Sequence, residues 1–154
     1  MRQILRQREL TADGWRYPDE TGDGPQALPF AALIATGASL PAGSGVVIGP
    51  TDDVRLLAPC LARLALIVVH FEKNGDGRGF SQAQVLRQQL GYQGELRASG
   101  AIKRDHIFLL ARCGFDAFDL DPGEDAQAAL ARLGRFSVAY QRSSGKLVQP
   151  RMRG

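Results

Sequence analysis

The chain has 154 residues, of which 44% are hydrophobic and 23% are charged, and its net charge is +3. These values are typical of one globular domain, and the longest apolar run, 64–69, is too short for a membrane-spanning helix, which needs roughly twenty residues. Basic residues are concentrated near the two ends, so the body of the chain has no strong basic face and nucleic acid is not expected as a partner.

The first 44 residues predict a preamble to the domain. Apolar pairs lie on either side of Asp13-Gly14, a dipeptide typical of tight turns, so a short hairpin is predicted there. Residues 18–29 are rich in Gly, Asp and Pro and predict a loop. Residues 28–35 predict a short helix, and 38–44 predict a second loop.

From residue 45 to 141, apolar segments alternate with amphipathic ones, which predicts four β-α units. The predicted strands are 46–48, 64–71, 95–99 and 115–120. Four helices are predicted. The first follows a cap at Thr51 or Asp52, and the second follows a capping box that begins at Ser81. The third begins at Arg104, and the fourth begins in the Asp121-Pro122-Gly123-Glu124 segment.

This alternation predicts an α/β fold with a parallel sheet and right-handed crossovers. Two architectures fit it: an open three-layer sheet, or half of a (β/α)8 barrel. A half-barrel would leave a sheet edge and an apolar inner face exposed, so it would favour a homodimer. We expect one domain over 1–141, made of the preamble and the repeats, and a flexible basic tail over 142–154.

Metal and redox signatures are sparse. The two cysteines, Cys60 and Cys113, form no Cys-x-x-Cys pair, and the two histidines do not have metal-ligand spacing. No metal and no cofactor are therefore predicted, and both cysteines are interpreted as small buried hydrophobes. The chain starts without an apolar signal segment, so we expect a cytoplasmic protein whose cysteines stay reduced.

The loop from His70 to Ser81 is the strongest candidate for a ligand site. It follows a predicted strand at its carboxyl end, where parallel α/β folds bind ligands. It also leads into a predicted helix N-terminus, which attracts anions. The predicted anion-binding residues are Gly77, Arg78, Gly79 and Ser81, together with Arg97 from the end of the next strand, which is expected to project toward the same rim.

Other interpretations of this loop stay open. Ser81 alone could cap the helix, and Asp76 and Arg78 could simply pair with each other. His70 and Asp76 are weak candidates for catalytic groups. A dinucleotide site is less well supported, because the glycine spacing is G-x-G-x-G rather than G-x-G-x-x-G.

Much of the chain from Ala65 to Tyr140 resembles a bacterial family, the domain-of-unknown-function family 934. The resemblance is carried by the segments LALIVVHFEKNGDGRGFSQAQVLRQQLGYQGELRASG, RDHIFLLARCGFDAFDL and FSVAYQ. One departure is His106, which stands where the family usually has glutamine. The resemblance implies a genomic neighbourhood with assimilatory sulfite reductase and sulfate activation, but it implies no catalytic residues.

Three functions follow as hypotheses, and they leave open whether the chain is an enzyme. The first is an accessory protein of assimilatory sulfite or sulfate reduction that binds a small anion or a partner such as sulfite reductase. The second is a small half-barrel enzyme acting on a phosphorylated or sulfated metabolite, or an oxidoreductase with a borrowed cofactor. The third is a purely structural partner of the reductase. An acidic residue and a histidine facing one pocket would favour the enzyme, and a flat apolar patch would favour the partner.

Overall fold

One mixed sheet organises the chain in the computed structural model, which describes residues 2–6, 9–73, 76–121, 123–134, 140–141 and 146–147. Among these residues the sheet has seven strands in the order β2-β1-β7-β6-β5-β4-β3. The strands are β1 Gln3–Arg6, β2 Glu9–Ala12, β3 Ala27–Pro29, β4 Ser44–Ile48, β5 Leu64–Phe71, β6 Glu95–Gly100 and β7 Ala117–Phe118.

The strands β3 to β7 are parallel, and each pairs with its neighbour in the chain. The predicted α/β class with a parallel sheet is thus confirmed in its main part. The strands β1 and β2 add an antiparallel edge next to β7. The predicted loop over 18–29 is correct for residues 18–25 but wrong for β3, which pairs with β4 through main-chain hydrogen bonds that the Gly-rich and Pro-rich composition does not reveal.

Short helical segments connect the strands. The α-helices are α1 Phe30–Thr36, α2 Gly77–Gln84, α3 Ile107–Arg112 and α4 Ala126–Gly134. A 3-10 helix, Val54–Arg63, replaces the α-helix that was predicted for the first β-α unit. Pro59 lies inside it and cannot donate a main-chain hydrogen bond. Its cap is Asp53, whose carboxylate accepts from the Arg55 amide, rather than Thr51 or Asp52. Shorter turns are Gly37–Ser39, Val85–Gln89 (a π-helix) and Arg104–His106.

The predicted hairpin exists, but its turn is elsewhere. β1 and β2 pair from Gln3 with Ala12 to Arg6 with Glu9. The connection between them, residues 7–8, lies outside the described residues, and Asp13-Gly14 comes after β2. Leu5 and Arg6 also pair with Phe118 and Ala117, so β1 lies between β2 and β7 in the sheet.

The two faces of the sheet are covered differently. Side chains alternate along a strand, so Ile67, Val69 and Phe71 of β5 face one way and Leu66 and Val68 face the other. The first face carries the main hydrophobic core, to which the helices contribute Leu33, Leu57, Ala83, Leu86, Ile107, Leu110 and Ala129.

The second face is covered by residues 13–26, which we call the cover segment. The Trp15 ring lies on Gly45, where a Cβ atom would come within 2.7 Å of it. Leu66 and Val68 are fully buried although they point away from the main core. An exposed apolar face was one of the two reasons for expecting a homodimer, the other being an open sheet edge, and the cover segment removes the first reason. A homodimer itself stays a prediction.

The end of the chain is described only in part. Tyr140–Gln141 (β8) pairs with Lys146–Leu147 (β9) in a small antiparallel ladder. The predicted flexible tail over 142–154 otherwise lies outside the described residues. No helix in the described part of the chain is both long enough and apolar enough to cross a membrane.

Candidate functional site

The carboxyl ends of β5, β6 and β7 bring three polar side chains to the same edge of the sheet. His70 and Ser99 are register partners, and Asp119 directly follows β7. They border a cavity of about 500 Å³, which we call the carboxyl-edge pocket. The pocket is lined by Arg2, Gln3, Tyr17, His70, Ser99, Gly100, Asp119 and Leu120.

The imidazole of His70 is positioned by the neighbouring strand. Its Nδ1 lies 3.4 Å from the Oγ of Ser99, whose side chain is buried, while the imidazole itself is exposed. Gly100 has a φ of +91°, and a Cβ there would come within 2.9 Å of His70 Nδ1 and would collide with the Phe71 carbonyl oxygen. Only glycine therefore lets the backbone of β6 pass this close to the ring.

Asp119 is held by two residues from the N-terminal part of the chain. The Tyr17 hydroxyl donates a hydrogen bond of 2.8 Å to Asp119 Oδ2, and Arg2 Nε lies 3.5 Å from the same oxygen. The Arg2 guanidinium also stacks on the Tyr17 ring, 3.8 Å from its centroid. Burial raises the pKa of the Asp119 carboxyl above its usual range, although Tyr17 and Arg2 act in the opposite direction. Asp119 therefore keeps a proton to a higher pH than an ordinary aspartate does.

A buried ion-pair network lies beneath the pocket. Arg97 is fully buried and donates to Asp13 Oδ2 at 3.0 Å and to Glu95 Oε2 at 2.8 Å. Its Nη1 also lies 3.4 Å from the Tyr17 hydroxyl oxygen, which accepts from it. Arg97 thus fixes the cover segment to β6 and orients the tyrosine that contacts Asp119.

In the predicted anion-binding loop, residues 76–81 form the cap and the beginning of α2. Asp76 caps α2, because its Oδ1 accepts from the Arg78 amide at 3.0 Å. The Arg78 side chain returns to the same carboxylate, with Nη2 2.9 Å from Oδ2. The helix therefore begins at Gly77, and predicting its start at Ser81 was wrong: Ser81 is an exposed residue inside α2, and Gly79 is buried against Phe71.

The predicted site residues therefore lie in three different places. His70 borders the carboxyl-edge pocket, whereas Asp76, Gly77, Arg78, Gly79 and Ser81 belong to the start of α2. Arg97 does not lie at the rim of that loop, because it points to the other face of the sheet and is enclosed by Asp13 and Glu95. The structure does not bring Arg78 and Arg97 together.

Sequence reasoning missed most of the pocket. Asp119 follows a predicted strand at the same edge as His70, so comparing polar residues at successive strand ends could have found it and Ser99. No local signal points to Arg2 or Tyr17. Tyr17 lies 102 positions from Asp119 in the chain, and only the path of the cover segment makes them neighbours.

Replacing Asp119 by asparagine is expected to stabilise the fold at neutral pH. A carboxyl whose pKa is raised in the folded state favours folding most when protonated, and this contribution is lost as the pH rises through the folded-state pKa. Asparagine carries no charge and avoids that loss. Urea unfolding from pH 4 to 8 should show a higher free energy of unfolding for Asp119→Asn than for the wild type. This difference should be largest at high pH and should shrink as the pH falls.

Asp121→Asn is the matched control. The Gly123 amide donates to Asp121 and lowers its pKa, so the ionised form favours folding and its removal should destabilise at neutral pH. The same sign for both variants would contradict the environment assigned to Asp119.

Comparisons with known proteins agree with the resemblance. The model of a family described as "Bacterial protein of unknown function (DUF934)" matches residues 45–150. No curated protein and no solved structure gives a significant match. The matched residues include His70, Ser99 and Asp119, whereas Arg2 and Tyr17 lie before the matched range.

Proposed function

The chain belongs to the DUF934 family of bacterial proteins of unknown function, and we propose that it binds a small polar metabolite in the carboxyl-edge pocket and exchanges protons with it. The observation that carries this proposal is that an acidic residue, Asp119, and a histidine, His70, face one cavity. This pairing favours an enzyme or a ligand-binding domain over a purely structural partner.

The position of the pocket in the fold supports the proposal. Ligands bind at the carboxyl ends of parallel strands, where catalytic groups come from the ends of several different strands. Here the groups come from β5, β6 and the residue after β7. The strands β3 to β7 lie in the sheet in the same order as in the chain, without a reversal. Right-handed crossovers then place all the connecting helices on one face of the sheet. This arrangement supports our proposal of a half-barrel architecture.

The chemistry of the two side chains fits general acid–base catalysis. Asp119 has a raised pKa, which makes its ionised carboxylate a stronger base, and it is a candidate proton acceptor. The exposed imidazole of His70, oriented by Ser99 and Gly100, is the second candidate group for the proton exchange. Such a pair commonly contributes about 10²–10⁴-fold to a rate. Tyr17 acts through Asp119 and is a positioning residue.

Metabolite retention tests the proposal. The purified protein is incubated with a small-molecule extract of its native cells, passed through a desalting column, and the retained compounds are identified by mass spectrometry. We expect a retained metabolite with the wild type and its loss in His70→Gln, because His70 borders the pocket.

The matched control is His106→Gln, which changes the second histidine to the residue usual in the family. His106 is the last residue of the turn before α3 and does not line the pocket, so this variant should retain the metabolite. Retention that is unaffected by His70→Gln, or no retention by the wild type, would contradict the proposal.

The role in assimilatory sulfite or sulfate reduction is a proposal of a second kind. Its support is the gene neighbourhood that the family resemblance implies, and sulfite reductase is the partner to look for. Co-purification from the native cell at physiological salt distinguishes a protein partner from a metabolite alone.

A further inference from the structure

We infer that the chemical group bound in the carboxyl-edge pocket is a neutral or cationic hydrogen-bond donor, such as a hydroxyl or an amino group, and not an oxyanion such as sulfate or phosphate. This inference rests on the proposed function and specifies the ligand class of the same site.

The charge of Arg2 is already matched by carboxylates. Its Nη1 lies 2.7 Å from Asp13 Oδ2, its Nη2 contacts Glu20, and its Nε lies 3.5 Å from Asp119 Oδ2. Arg2 is also the one arginine among the described residues that line the pocket, and no lysine lines it. An oxyanion would therefore compete with three carboxylates for the charge of this guanidinium.

The surrounding network is acidic as a whole. Salt bridges connect three arginines with four carboxylates, so one negative charge is in excess when all are ionised. The members are Arg2, Arg6, Arg97, Asp13, Glu20, Glu95 and Asp119. Arg97 and Asp13 are buried and the other five are half-buried, so these charges are less screened than charges on the open surface, and the excess negative charge opposes an incoming anion.

The polar atoms of the pocket that make no hydrogen bond within the protein favour a ligand that donates a hydrogen bond. The Tyr17 hydroxyl uses its hydrogen on Asp119 Oδ2. Among the described residues, no hydrogen bond is made to Asp119 Oδ1 or to Nε2 of the exposed His70. A carboxylate oxygen only accepts hydrogen bonds, and sulfate has no hydrogen to offer it. A hydroxyl or ammonium group can donate to Asp119 and still lie beside the imidazole.

Imidazole NMR of the full chain tests the inference directly. The chain has two histidines, so the ¹⁵N-labelled imidazole of His70 reports on the pocket and that of His106 serves as an internal reference. The probes are ethanolamine and glycerol, and sodium sulfate and phosphate, at constant ionic strength and pH. We expect saturable shifts of the His70 signals with ethanolamine and glycerol, and none with the two oxyanions.

Asp119→Asn supplies the second readout. Removing one charge-assisted hydrogen bond should weaken ethanolamine about tenfold and glycerol less. Saturable binding of sulfate or phosphate at His70, or no shift with either donor probe, overturns the inference. Because metabolite retention is measured separately, a retained compound lost in His70→Gln keeps the proposed function standing even if this ligand class is wrong.

Discussion

The variant Arg97→Met is expected to lose about 3–5 kcal/mol of stability at neutral pH, the range for breaking one side of a buried ion pair. Arg97 and Asp13 both have fully buried side chains, and Asp13 would keep a negative charge whose remaining cation is Arg2. Urea unfolding followed by circular dichroism measures the loss.

The effect should also depend on pH with a defined sign. Although burial acts to raise it, the pKa of Asp13 is lowered in the fold by the Trp15 amide and by Arg97 and Arg2. A lowered pKa stabilises the fold above the unfolded-state value and loses this contribution as the pH falls through the folded-state value. The gap between wild type and Arg97→Met should therefore narrow below about pH 4.

Arg78→Met is the matched control. It removes an arginine of the same size that is 55% exposed and paired with Asp76. Exposed ion pairs contribute little to stability, so the midpoint of urea unfolding of this variant should be close to that of the wild type. Equal losses in the two variants would show that the Arg97 network does not stabilise the fold more than a surface pair.

The variant Gly100→Ala is expected to destabilise the fold by about 2–4 kcal/mol, combining a left-handed backbone penalty with overpacking. The new methyl group would collide with the Phe71 carbonyl oxygen and come within 2.8 Å of the His70 ring. The His70 imidazole should move, so its NMR signals should shift even where the protein stays folded.

Gly77→Ala provides the comparison. A methyl group at Gly77 would have no neighbouring atom within 4 Å, and the residue lies in the first turn of α2. Alanine is the better helix former by up to about 1 kcal/mol, so stability should be unchanged or slightly higher. A Gly100→Ala variant as stable as Gly77→Ala would mean that β6 and β5 can separate locally without cost.

The strands that carry the pocket could be predicted because their patterns are strong. The apolar run at 64–71 coincides with β5, and 95–99 differs from β6 by one residue. A continuous apolar run indicates a strand buried on both faces, and the helices and the cover segment bury both faces of β5.

The start of α2 shows where local patterns are insufficient. Asp76 and Ser81 are both good cap residues, and each is followed by residues that suit a first turn. Packing determines which of the two residues caps the helix. Gly79 lies against the Phe71 ring, and the Phe80 ring makes an edge contact with the Phe71 ring at 5.7 Å between centroids. These contacts need the helix to have begun before Ser81.

The part of the pocket formed by the N-terminal residues could not be predicted for a different reason. His70 was a candidate because strand-end histidines are visible in the sequence. Arg2 and Tyr17 depend on a segment that crosses the sheet, and a Gly-rich and Pro-rich composition is equally typical of a solvent-exposed loop. Nothing in residues 13–26 themselves distinguishes these two paths.

The path of the cover segment has a consequence for synthesis of the protein. Tyr17 meets Asp119 across 102 positions, Arg6 meets Glu95 across 89, and Asp13 meets Arg97 across 84. Contacts at such separations form late and slow the folding of a domain. On the ribosome, the first residues of the chain must wait for β7 before they can settle, and their apolar side chains are open to chaperones until then. The pocket therefore assembles only after β7 has been synthesised and the residues before β3 have packed against it.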